Sequence, residues 1–163
     1  MKTRAEVVAL GGKAHAGASD LGEKAAIDGY IADAAAALGG IDILVNNASA
    51  SAFGSVDDEA TWMASVAIDM MAIVHATHAA LPFLKAGKGA VINTSSVSAL
   101  RSAARQPSYG AIKAAVIHYT TSQAAMYARD GIRVNGVAPG SIEFPGGVWD
   151  RRKTDNPRLW GLC

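Results

Sequence analysis

The stretch Gly89-Ala90-Val91-Ile92-Asn93-Thr94-Ser95-Ser96 leads through a polar loop into Tyr109-Gly110-Ala111-Ile112-Lys113. Its first half is a short apolar run bounded by glycine and ending in a serine pair, which predicts a buried strand. After the loop, the mixture from Ala111 to Arg129 predicts a helix, with Tyr109 and Lys113 at its opening. Residues i and i+4 are neighbours on one helix face, with β-carbons about 6 Å apart. An ammonium held that close to a phenol favours the phenolate, which is how a tyrosine becomes a usable general acid or base. Strand, loop and helix thus deliver one reactive pair to the carboxyl end of a strand. The blander reading is an ordinary helix with one exposed lysine and one half-buried tyrosine.

Working outward, the remaining segments repeat that alternation. Residues 1–10 read as the end of a helix stopped by Gly11-Gly12. Lys13 to Ser19 reads as a short strand ending at Asp20, and Glu23 to Leu38 as a helix closed by Gly39-Gly40. Ile41 to Val45 reads as a buried strand ending in Asn46-Asn47-Ala48-Ser49. A long helix from about Asp57 to Leu84, broken near Thr61, precedes the Gly89 strand. Gly131 to Val137 gives another strand, ending in Ala138-Pro139-Gly140. Alternating strands and helices predict an α/β domain whose parallel sheet is covered on both faces. Ligands of such sheets bind outside the carboxyl ends of the strands. Asp20, Asn46-Asn47, Ser95-Ser96 and Pro139-Gly140 all fall there.

The chain of 163 residues is 50% apolar and 18% charged, with a net charge of +1, which suits one packed domain. No basic cluster exceeds Arg151-Arg152-Lys153, so neither a nucleic-acid groove nor an anionic membrane surface is predicted. The one cysteine, Cys163, excludes a disulfide framework or thiolate metal site. His75 and His78 have a metal-compatible helical spacing but no evident third ligand, and no metal site is predicted. No run reads as a signal peptide or transmembrane span, and the expected setting is the cytoplasm.

Asn46-Asn47-Ala48, Ser96 with Tyr109-x-x-x-Lys113, and Pro139-Gly140-Ser141-Ile142 together resemble the short-chain dehydrogenases/reductases. The motifs follow that family's order, from about Gly12 to Ile142, with Ser96 thirteen residues before Tyr109. The resemblance implies hydride transfer between NAD or NADP and a small carbonyl or secondary-alcohol substrate. It implies that Tyr109 is the acid/base and that Lys113 supports Tyr109 and bonds the nicotinamide ribose. Ser96 would donate to the substrate oxygen. Asp20 and Leu21 match the pair beside the adenine, and Asn46 and Ala48 the segment on the adenosine side. Pro139, Gly140 and Ile142 match the segment beside the nicotinamide. The helices around Ala72–Ala80 and Ala114–Ala128 match the family's dimer interface, implying a homodimer or homotetramer.

Three departures qualify that expectation. The family's Gly-x-x-x-Gly-x-Gly turn, which receives the pyrophosphate, is absent, and Gly11-Gly12-Lys13-Ala14-His15-Ala16-Gly17 lacks its spacing. Asp69 stands at the position of the family's catalytic asparagine, thirteen residues before Pro82. In the family that asparagine goes with a helix irregularity and a water that relays protons to the lysine; aspartate adds a charge near Lys113. Residues 143–163 read as the start of a substrate loop that is then cut short. The expected architecture over 1–163 is therefore one partial Rossmann-type doubly wound domain without its first two strands and its last. The functional alternative is a non-catalytic fragment that self-associates through its helix pair. The related epimerases and dehydratases, which share the Tyr/Lys pair, are disfavoured by the early Pro139-Gly140-Ser141-Ile142 segment. The residue that would choose NAD over NADP lies after the missing second strand.

Overall fold

The long helix expected from Asp57 is continuous, but its middle is wound more widely. A computed structural model describes residues 2–155 apart from Ser51, Phe53, Ala103 and Arg105; the end of the expected substrate loop and Cys163 lie outside the described residues. Helix α1 spans Lys2–Ala9 and α2 Lys24–Leu38; strand β1, Ile43–Asn46, follows. Next come α3 (Glu59–Ala64), a π-helical turn (Ser65–Met71) and α4 (Ala72–Gly87). Strand β2 is Ala90–Thr94, helix α5 Pro107–Tyr127, strand β3 Arg133–Val137 and helix α6 Val148–Asp155. The break predicted near Thr61 is instead the π segment. There, hydrogen bonds reach back five residues, as Ala72 N does to Ala67 O. Asp58 caps the start, its side chain accepting from the backbone N–H groups of Ala60 and Thr61.

The strands form one parallel sheet in the order β1-β2-β3, with Val45 beside Ile92 and Ile92 beside Asn135. Residues paired across a parallel ladder point to the same face, and alternate residues point to opposite faces. One face carries Leu44, Val91 and Val134, which pack with Ile27 and Ile31 of α2 and with Ala80 and Leu84 of α4. Leu84 and Val91 are fully buried, and each such side chain contributes roughly 1.5–3 kcal/mol. The opposite face carries Ile43, Val45 and Val137, all exposed. Among the described residues the helices that contact the sheet lie on the first face. The Rossmann-type parallel pattern holds, while the cover expected on both faces is present on one.

Two further expectations change. Residues 13–20 take no strand: they join no ladder. In a doubly wound sheet of order 3-2-1-4-5-6 a third strand pairs with the second, and this sequence offers no such neighbour. The helical run Glu59–Gly87 is, at 29 residues, long and apolar enough to cross a membrane, contrary to the sequence reading. In this structure it packs on α2 and β1 and buries Ser65, Asp69 and Thr77.

Local chemistry sets the ends of the elements that position the site. Pro107 starts α5 at a position where its missing N–H is not needed. Gly39, at φ 96°, ends α2, its N–H donating to Ala35 O. Between α4 and β2 a β-carbon on Gly89 would fall 2.3 Å from the Asp42 carbonyl oxygen, so this crossing requires glycine.

Candidate active site

At the end of β2, the chain turns away from the sheet and is held by its neighbour. Ser95 N–H donates to Val137 O (2.7 Å) and Val97 N–H to Pro139 O (3.0 Å), so Pro139 lies against the serine loop. The Ser95 hydroxyl, buried, donates to Lys113 O at 2.7 Å and ties the loop to α5. Ser96 accepts from Ser98 N–H at 3.1 Å, which leaves its hydroxyl proton free to donate elsewhere.

On α5, Tyr109 is half-buried, and Lys113, one turn further on, is 2% exposed. The Lys113 Nζ lies 5.5 Å from the centre of the Tyr109 ring. It donates to Thr94 O at 2.9 Å and sits 3.2 Å from Asp69 Oδ1. Asp69 is fully buried; its Oδ2 accepts from Ala50 N–H at 3.3 Å, while Oδ1 receives no well-aligned hydrogen bond. The Lys113 contact is thus chiefly coulombic, which depends on distance more than on angle. The hydrogen bond to Thr94 O uses one of the three ammonium protons, so donor capacity remains for a ligand.

The structure therefore brings Tyr109, Lys113 and Asp69 together and sets the Ser95–Ser96 loop against α5. The adenosine-side candidates divide. Leu21, Asn46, Asn47 and Ala48 line a cavity of about 160 Å³ closed by Ile68 and Ala72. Asp20 is exposed and instead accepts from Gly22 N–H at 2.9 Å, forming a turn. Asn46 faces inward, donating to Asn93 Oδ1 at 2.9 Å and Thr77 Oγ1 at 3.3 Å. Its side chain ties β1 to β2 and α4. Gly140 and Ile142 lie past β3, and Ile142 is 57% exposed.

Sequence reasoning did not foresee the buried neutral cluster behind the site. Asn93 Nδ2 donates to Thr120 Oγ1 (3.0 Å) and Gln123 Oε1 (2.8 Å). The available signal was an asparagine inside an apolar strand, with Thr120 and Gln123 one turn apart on α5. Tyr119, on the same helix, is no rival for the acid/base role. Burial pushes its phenol up and nearby Tyr127 adds to that, while a hydrogen bond with Gln123 acts the other way.

The profile of the short chain dehydrogenase family matches residues 1–155. The chain belongs to the short-chain dehydrogenase/reductase family. It is 36% identical over 137 residues to nodulation protein G of Azospirillum brasilense, covering 82% of this chain and 56% of that protein. It is 34% identical to meso-2,3-butanediol dehydrogenase of Serratia marcescens, covering 81% and 53%. A short chain dehydrogenase from Burkholderia cenocepacia J2315, solved in complex with NADP, superposes with a TM-score of 0.84. That pair shares 33% identity and covers 94% of this chain and 65% of the solved one. The chain thus spans little more than half the length of those curated relatives.

Proposed function

We propose that this chain carries the catalytic portion of an NAD- or NADP-dependent short-chain oxidoreductase acting on a small carbonyl compound or secondary alcohol. The observation that carries the reading is the Tyr109–Lys113 pair, one helical turn apart, with the lysine ammonium buried 5.5 Å from the tyrosine ring beside the serine loop. The bound nicotinamide cofactor would supply or accept the hydride. Tyr109 passes a proton between its hydroxyl and the substrate oxygen, and Ser96, its own proton unspent, donates to that oxygen and holds it. Lys113 would give a free N–H to the cofactor ribose and sets a positive charge against the tyrosine ring.

The chain fits the two ends of a dinucleotide unequally. The cavity of about 160 Å³ beside Leu21, Asn46 and Ala48 suits a flat apolar base. Pro139, whose carbonyl accepts from Val97 N–H beside the serine loop, would lie with Gly140 and Ile142 at the nicotinamide end. A glycine-rich turn for the pyrophosphate is absent from the sequence. Asp20, engaged with Gly22, is the weakest member of the set. A soluble cytoplasmic homodimer or homotetramer completes the proposal.

One observation favours a second reading, a non-catalytic fragment that only self-associates through its helix pair. A relative 38% identical is named inactive 2-(S)-hydroxypropyl-CoM dehydrogenase 2, from Xanthobacter autotrophicus.

A fluorescence titration with NADH and NADPH and a turnover assay on secondary alcohols separate the readings. The chain alone should bind either nucleotide weakly, for want of the pyrophosphate turn; micromolar binding would overturn that expectation. In a form that turns over, Tyr109→Phe should lower kcat about 100-fold or more with cofactor binding kept. Turnover surviving in Tyr109→Phe removes Tyr109 as the acid/base.

A further inference from the structure

We propose that Asp69 is a positioning residue, the fixed counter-charge that keeps the Lys113 ammonium protonated and in place within the protein interior. The inference deepens the hydride-transfer reading and rests on it for its purpose, because that reading needs Lys113 as a cation. Its physical basis stands apart.

Lys113 is 2% exposed and Asp69 is 0% exposed. An isolated ammonium at such a site releases its proton instead of bearing the desolvation. The surroundings of Nζ supply one formal negative charge. From β2 comes the neutral Thr94 carbonyl at 2.9 Å, from α5 itself the Tyr109 ring, and from the π-helical turn the Asp69 carboxylate at 3.2 Å. Among the described residues Asp69 is the acid that pairs with Lys113. Asp69 is itself anchored by Ala50 N–H on Oδ2, which sets Oδ1 toward the lysine.

The wide turn at Ser65–Met71 helps bring that carboxylate inward. It packs on α5 and buries Ser65 and Asp69, and the Ser65 hydroxyl donates to Ser108 Oγ at 3.3 Å. A carboxylate here pairs directly with the ammonium, where a neutral amide would reach it only as a dipole. The pair balances its charge and still leaves the ammonium with donor capacity for a ligand.

The test uses this chain without cofactor or turnover. Acetic anhydride reacts with neutral amines, so the acetylation of Lys113, followed by mass spectrometry over a pH series with exposed Lys13 as reference, reports its protonation. In Asp69→Asn, Lys113 should react about tenfold faster at neutral pH, as an amine freed of its counter-charge does, while Lys13 stays unchanged. Asp69→Asn, Lys113→Met and the double variant should also lose less thermal stability together than the two single losses added. An unchanged Lys113 profile, or additive losses, would overturn the proposal. The hydride-transfer reading fails separately, through an active Tyr109→Phe, and leaves these readouts intact.

Discussion

Asn93 and Lys113 are both polar, both almost fully excluded from water, and both held near the end of β2, yet their surroundings differ in kind. Asn93 is met by Asn46, Thr120 and Gln123, all neutral, and its amide spends both N–H groups and one acceptor on them. Thr120 passes its own proton to Val116 O at 2.7 Å. The Asn93 amide is fully engaged, and the donor left over in this cluster is the buried Gln123 Nε2, which faces the interior. Lys113 is met by one charge, one carbonyl and one ring, and keeps an unspent donor. Neutral satisfaction makes a strut between sheet and helices. Charged, incomplete satisfaction makes a place where a substrate or cofactor finishes the arrangement.

Substitutions can break that contrast, beginning with the largest effect. Lys113→Met leaves the Asp69 carboxylate buried without a counter-charge and should destabilise the fold by about 3–5 kcal/mol in a denaturant titration. A loss below about 1 kcal/mol would mean that the carboxylate is not held charged there. Asn93→Ala strips three hydrogen bonds and leaves the Asn46 amide and Gln123 carbonyl without these partners, so a loss of about 3 kcal/mol is expected. If equilibrium unfolding shows less than the loss from Ser95→Ala, the neutral cluster is not the strut described. Ser95→Ala removes one bond to the Lys113 carbonyl and should lose about 1 kcal/mol; no change in midpoint would show that α5 holds the loop without it. Tyr109→Phe should leave stability within about 0.5 kcal/mol while abolishing turnover. A large stability loss there would make Tyr109 part of the scaffold instead of the chemistry.

Much of this was legible in the sequence because the signals were local. Glycines at 39–40 and 131 and the apolar run before Asn93 marked where helices and strands begin and end, whereas the start of α5 at Pro107 was not read. Tyr109 and Lys113 were legible as neighbours through their spacing, and Asp69 through its distance from Pro82. The parts that escaped depend on tertiary partners. Lys13 to Ser19 had a strand-like pattern, but an alternating pattern becomes a strand only beside another strand. The break read at Thr61 is absent, whereas the irregularity that the resemblance attaches to position 69 is present as the wide turn Ser65–Met71, packed against α5. Asn46 read as a ligand-side residue, yet its amide is spent inside the fold on Asn93 and Thr77. That pairing joins residues far apart in the chain.

The outer edge of β1 has a practical consequence for handling this chain. Ile43-Leu44-Val45-Asn46 carries no charge along its length, and among the described residues no strand pairs with its outer side, beside two exposed branched side chains. Such an edge is a template for another strand. Asp42 stands at one end as its gatekeeper. In concentrated solution the isolated chain should therefore scatter light increasingly with time, and a lysine at Val45 should slow that clouding.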